Sequence, residues 1–307
     1  MFFYLWEGKL HGMKFHILII FLTFSIGNFN AQERFLIKET AHIKLFETYL
    51  SNTSDGNIFP VVYNNGLLFL SNHRSKDYQL YFSNLQSELI KIRTNSKFNV
   101  GSFAVDGNEI YFTGATKRVG FDGNINSAIY KGTIEDLKVS KIEKVSICET
   151  NYSYAHPSIS KEGDQMVLVT NENGIFHLLE FVKNNKNEWV KNGLIYISHP
   201  VFEILNPTIY NKNTVYFSTD IYEGQIKEII YKKNDGTLKL SEIRREKGAF
   251  NIYKISRKNG HWGIPVKVPE LNSDFDDLGV IFTAEKSGYL NTYRFNSTDN
   301  IYYFELK

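Results

Sequence analysis

Short apolar runs separated by polar turns fill the chain from Ile58 onward, and five stretches repeat one order of residue types. Each has an apolar or aromatic strand, a turn of Asn, Asp, Gly or Lys, a second strand rich in Tyr, Phe and Val, and a small polar stop. The clearest copy runs from His156 to Asn171, with Ser158-Ile159-Ser160 before the turn and Gln165-Met166-Val167-Leu168-Val169-Thr170 after it. The others run from Phe59 to Asn72, Gly101 to Thr113, Asn206 to Asp220 and, most worn, Asp276 to Leu290. Runs of four to six β-branched or aromatic residues bounded by turn residues predict strands. Asn65-Gly66, Asp106-Gly107 and Asn259-Gly260 supply the positive φ that hairpin turns need. No long stretch carries the 3.6-residue period of an amphipathic helix.

Each copy is followed by another predicted strand: Gln79 to Phe82, Ala128 to Lys131, Ile175 to Leu178, Asn251 to Ile255 and Asn300 to Phe304. A closing strand such as Trp262 to Val268 brings the unit to about four strands. The copies start 41 to 69 residues apart, so loops of variable length interrupt a constant strand core. The longest interval holds Tyr222 to Gly248, a charged excursion on one face. Self-similarity at this period marks a repeat architecture, and a four-stranded unit repeated around an axis is a propeller blade. The sequence therefore predicts an all-β fold, a β-propeller of five four-stranded blades. Six blades are the alternative, the extra one built from Phe35–Thr53 or Tyr222–Gly248. With five blades, Phe35–Thr53 is free to lend a strand to the last blade and latch the ring shut.

Composition fits this picture. Of 307 residues, 42% are hydrophobic and 22% charged, which gives a large core and excludes a disordered chain. Aromatic residues reach 15%, a bias that suits pleated surfaces. The net charge of +2 argues against nucleic acid as a partner. Arg244, Arg245 and Lys247 form a small basic cluster, but Glu242 and Glu246 are interleaved with it, as on a solvated loop.

Residues 1–31 read as a signal peptide, with 1–12 as a spurious upstream extension and 32–307 as the propeller domain. Lys14 precedes the apolar run Ile17 to Phe24, and Ala31 stands before a cut at Gln32. The run is too short for a transmembrane helix, so no membrane span is expected after cleavage. Export to the periplasm, or association with the outer membrane, follows. The one cysteine, Cys148, forms no internal disulfide and is expected as a buried thiol in a strand.

The motifs resemble the WD-repeat-like propeller repeat of TolB-type proteins, roughly Pro-x-apolar-Ser-x-Asp-Gly-x-x-apolar-Tyr-Phe-x-Ser. Their order resembles the propeller region of OmpA-family envelope proteins. The second copy lacks Pro (Asn99-Val100-Gly101-Ser102), the third opens Ala155-His156-Pro157-Ser158, the fourth Leu205-Asn206-Pro207-Thr208 and the fifth Phe275-Asp276-Asp277-Leu278-Gly279. Asn259-Gly260-His261-Trp262-Gly263-Ile264-Pro265 fits as well. Copies four and five depart from the pattern at Asn211-Lys212-Asn213 and Ala284-Glu285-Lys286. The resemblance covers nearly all of residues 55–307 and implies envelope proteins as partners, with type IX secretion components among the related proteins. It does not imply peptidoglycan binding, because no OmpA-type domain follows the repeats.

Motifs that would carry chemistry are few. There is no Gly-x-Ser-x-Gly elbow and no His-Glu-x-x-His. His42, His73, His156, His177, His199 and His261 are not paired at metal-ligand spacing, and His156 and His199, each before a Pro, read as turn or core residues. Asp122-Gly123-Asn124-Ile125-Asn126 and Asn272-Ser273-Asp274-Phe275-Asp276 open like calcium loops, but Thr133 and Thr283 stand where the twelfth-position Glu belongs. No metal and no cofactor is expected. A hydrolytic or carbohydrate-active propeller is the rival reading, with channel carboxylates drawn from Asp106, Asp220 and Asp276. The leading expectation is a non-enzymatic, protein-binding scaffold that displays loops, Tyr222–Gly248 and Ala115–Asn126 foremost.

Overall fold

The structure, a computed structural model, describes residues 34–307 except 52, 85–88, 95–99, 120–124, 200–201, 222–225, 235, 246–249 and 296–297. The expected signal peptide lies outside the described residues. So do the turn Asp122-Gly123-Asn124, Lys247 and the side chains of Arg244 and Arg245.

Two strands open the described chain, β1 (Leu36–Glu39) and β2 (Ile43–Phe46). Blade one is β3 (Asn57–Tyr63), β4 (Gly66–Ser71), β5 (Gln79–Ser83) and β6 (Leu89–Lys91). Blade two is β7 (Phe103–Asp106), β8 (Glu109–Val119), β9 (Ile125–Glu135) and β10 (Lys138–Lys144). Blade three is β11 (Tyr154–Ile159), β12 (Gln165–Thr170), β13 (His177–Lys183) and β14 (Trp189–Ile197). Blade four begins with β15 (Ile204–Asn211) and β16 (Thr214–Thr219). There the chain leaves to form a separate hairpin, β17 (Ile226–Asn234) and β18 (Thr237–Arg245). It returns as β19 (Asn251–Lys258), with β20 (His261–Trp262) and β21 (Val266–Lys267) both paired to β19. Blade five is β22 (Asp277–Ala284), β23 (Ser287–Thr292) and β24 (Asn300–Leu306), completed by β2 and extended by β1.

Five antiparallel blades therefore close one ring. Neither candidate for a sixth blade forms one, since Phe35–Thr53 joins blade five and the 222–248 excursion is the β17–β18 hairpin. The expected closing strand Trp262 to Val268 is broken in two. Gly263 weakens it and Pro265 removes a donor, and each half keeps only two paired residues.

The apolar runs have a simple physical origin. The second strand of each blade is packed between two neighbouring blades, so both of its faces are buried. β4 and β12 are buried at every position, which makes Leu67-Leu68-Phe69-Leu70 and Met166-Val167-Leu168-Val169 continuous rather than alternating. The faces separate cleanly between cores. Leu68 and Leu70 pack against Phe103, Ile110 and Phe112 of blade two, whereas Leu67 and Phe69 pack against Tyr289, Ile301 and Tyr303 of blade five. In blade three, Met166 and Leu168 meet blade two, while Val167 and Val169 meet blade four. Gly107 (φ 58°), Asn259 (φ 52°) and Gly260 (φ 80°) take the expected left-handed conformation, whereas in the first hairpin it is Asn64 (φ 49°), not Asn65-Gly66, that does so.

Cys148 is buried, but in a turn after β10 rather than in a strand. Its sulfur accepts a bond from the Ile129 N–H at 3.3 Å, and burial pushes the thiol up to about 11, so it is a packing residue.

Candidate functional site

The inner strand of every blade, β3, β7, β11, β15 and β22, lines one axial cavity of about 730 Å3. On three of these strands the repeat places a bulge at the same point. Phe59 (φ 55°), His156 (φ 53°) and Asn206 (φ 46°) are each left-handed and each is followed by a proline. Each sits where the register with the second strand slips, between Ile58 and Val61, Ala155 and Ser158, and Leu205 and Thr208. A left-handed L-residue costs roughly 1–2 kcal/mol, and such outliers persist only where the surroundings enforce them. A bulge re-aims the side chain that carries it. Here it sets Phe59, His156 and Asn206 in the cavity wall, together with the buried Pro60, Pro157 and Pro207.

Hydrogen bonds between blades hold these positions. The His156 N–H donates to Ser102 Oγ (3.2 Å) and Thr113 Oγ1 (3.1 Å) of blade two. Those two hydroxyls are 2.9 Å apart. The Ile209 N–H of blade four donates to Ser158 Oγ (3.1 Å). Asn206 Nδ2 donates to the Leu278 carbonyl of blade five (2.6 Å), and Asn291 Nδ2 of blade five to the Asn57 carbonyl of blade one (3.2 Å). The serine of the repeat motif is thus a link between blades, in agreement with its polar identity beside buried apolar runs.

The ring of His156 stands edge-to-face with Phe59, centroids 5.6 Å apart. It sits deep among the blades, and the surface it keeps faces the cavity. Burial pushes the imidazole down to about 4, against the opposing pull of a hydrogen bond with Asn206. An unfolded imidazole titrates near 6.5. The unfolded chain therefore takes up this proton first as pH falls, so the stability His156 leaves intact above pH 6.5 is lost progressively toward pH 4. The loss is on the order of 3 kcal/mol at most, less to the extent that channel water reaches the ring. His156→Gln should flatten the fall in Tm between pH 7 and pH 4.5; parallel curves for the two proteins would contradict the assignment.

The candidate carboxylates do not converge. Asp106 lines the turn end of the cavity, where its carboxylate is 3.2 Å from Lys183 Nζ. Asp220 is buried elsewhere, accepting the Glu203 N–H at 2.8 Å, and Asp276 accepts the Phe250 N–H at 2.9 Å. Glu285, which was not singled out, lines the same end of the cavity but is exposed. Among the described residues no group of three His, Cys, Asp or Glu side chains could hold a metal ion. The second calcium-like loop is a fold element: Asn272 Nδ2 donates to the Ile252 and Val268 carbonyls, and Ser273 donates to Asp277 Oδ2. Among the described residues no helix is long and apolar enough to cross a membrane.

The residues that shape the cavity were not chosen from the sequence, where His156 reads as a turn or core histidine. The signal was present, though, as an X-Pro step at one repeat position in blades one, three and four.

No protein-family model matches the chain, and no curated protein does. Solved structures do match. Aldose sugar dehydrogenase from Streptomyces coelicolor, in its PQQ-bound form, aligns with a TM-score of 0.50 at 10% identity, over 86% of this chain and 98% of that one. TolB from Acinetobacter baumannii aligns with a TM-score of 0.46 at 10% identity, over 86% of this chain, which spans 59% of the length of TolB. A thermostable family-43 glycoside hydrolase gives 0.48 at 11% identity, over 84% and 91% of the two chains. The comparisons lend the OmpA-family resemblance no support. They also overturn the expectation, drawn from the repeats and the lack of a catalytic motif, that the chain is not an enzyme: the aldose sugar dehydrogenase is an enzyme of this fold. The likeness to the aldose sugar dehydrogenase, at this low identity, shows the β-propeller fold alone.

Proposed function

We propose that the protein is an exported β-propeller that serves as a binding module of the bacterial cell envelope, in the periplasm or at the outer membrane, with envelope proteins as partners. Export rests on the charged and apolar pattern of residues 14–31. The observation that carries the binding role is the β17–β18 hairpin. It pairs only with itself among the described residues, so it contributes to no blade. Ile229 and Tyr231 on it are 45% and 56% exposed. Apolar side chains on a projecting hairpin contribute nothing to the ring and suit contact with another protein.

The hairpin is removable by design of the blade. Thr219 and Asn251, at the ends of β16 and β19, are direct register partners. Replacing residues 222–248 with a short Gly-containing turn should therefore leave Tm nearly unchanged. It should also abolish capture of at least one envelope protein by the tagged, exported chain. Full retention of every partner by the shortened protein would sink this reading.

A further inference from the structure

The axial cavity has a chemistry that neither ring closure nor a binding hairpin requires. At about 730 Å3 it falls within the roughly 300–1,000 Å3 of small-molecule sites. Its charged lining residues, Asp106, Lys161 and Glu285, all lie at the turn end, and Asp106 is already committed to Lys183. Below that level the wall carries no charged side chain, and burial keeps His156 neutral at pH 7. An ionic ligand drawn to this depth would lose its hydration and meet no opposite charge.

The wall is not oily either. Ser158 Oγ accepts the Ile209 N–H and keeps its own O–H to donate. Thr208 is half-buried in the wall two residues beyond Asn206. The half-buried Phe59 ring and Val61 supply apolar surface in the same cavity. Hydroxyl groups and an aromatic ring lining one cavity, without charge at that depth, match a ligand that alternates hydroxyl edges with C–H faces. The strained bulges, each followed by a proline, hold Phe59 and Asn206 in this wall before any ligand arrives.

We propose that the axial cavity is a binding site for an uncharged sugar. Isothermal titration of the full chain with D-glucose, maltose and N-acetyl-D-glucosamine tests it, with D-glucuronate and D-glucosamine as charged counterparts. Saturable one-to-one binding of at least one neutral sugar is expected, at least tenfold tighter than the charged analogues. Thr208→Val, which keeps the shape of the side chain, should weaken it at least fivefold, and Phe59→Leu likewise. Ser158→Ala also removes a link between blades, so its effect counts only if Tm is unchanged. The proposal is overturned if no neutral sugar binds at millimolar concentration, if charged analogues bind as tightly, or if Thr208→Val and Phe59→Leu bind like the unaltered protein.

Discussion

Asp277→Ala is expected to lower the unfolding free energy by about 3–5 kcal/mol, the cost of stranding a buried charge. Asp277 is fully buried and Arg294 is 4% exposed; Arg294 Nη2 lies 2.5 Å from Asp277 Oδ1. The same oxygen accepts the Thr292 hydroxyl at 2.6 Å, and Oδ2 accepts the Ser273 N–H at 2.6 Å. Arg294 Nη2 also donates to the Leu271 carbonyl at 2.6 Å. One carboxylate thus joins the start of β22, the end of β23 and the loop before the blade. Alanine leaves the guanidinium without its anion and takes this acceptor from the Ser273 N–H and from the Ser273 and Thr292 hydroxyls. Chemical denaturation should show the loss, and Asp277→Ala combined with Arg294→Met should recover much of it, because the penalty lies in the unpaired charge. The exposed pair Lys212–Asp164, at 2.8 Å with side chains 63% and 47% exposed, is the control. Asp164→Ala should cost less than about 1 kcal/mol. Equal losses from Asp277→Ala and Asp164→Ala would refute the argument.

The Asp276-Asp277 pair shows how far the sequence reaches. As a motif it located the start of blade five, and blade five starts at Asp277. What the two acids do was not visible, since Asp276 caps a backbone amide and Asp277 pairs with an arginine seventeen residues away. Asp106, Asp220 and Asp276 looked interchangeable as channel carboxylates, yet one is at the axis and two are not. Strand order and blade count were legible because burial on both faces writes continuous apolar runs. The bulges at Phe59, His156 and Asn206 were not: the extra residue sets the buried positions three apart, at 57 and 60, 154 and 157, and 204 and 207, a break in the alternation too short to tell from an irregular strand. Proline after each was their only trace. The fifth strand of the last blade was also missed: β1 is largely exposed and carries no core pattern.

Leu45→Asp is expected to open the ring, with a loss above about 4 kcal/mol, in the range reserved for buried unpaired charges. Leu45 is fully buried on β2 and packs with Ile43, Val280, Leu290 and Phe304. In register it faces Phe304, and Ile43 faces Leu306, so the first part of the domain supplies the fourth strand of the last blade. Thr48 Oγ1 to the Ile301 carbonyl (2.6 Å) and the Lys307 N–H to the His42 carbonyl (2.9 Å) fasten both ends of this strand. The chain has one cysteine and no disulfide to close the propeller, so closure rests on this strand together with the core and hydrogen bonds between blades five and one. A carboxylate at position 45 must be desolvated or pull β2 off the blade. The second route leaves β24 as an unpaired edge, which invites pairing with another chain. Both a lower Tm and earlier elution in size exclusion should follow. Leu45→Ala, which leaves a cavity but no charge, should fall between, at about 2–5 kcal/mol. Lys44 is the neighbour on the opposite face, 39% exposed, and Lys44→Ala should change little. If Leu45→Asp melts within about 2 °C of the unaltered protein and elutes with it, less than about 1 kcal/mol rests on the latch. The ring would then be held by its inter-blade cores alone.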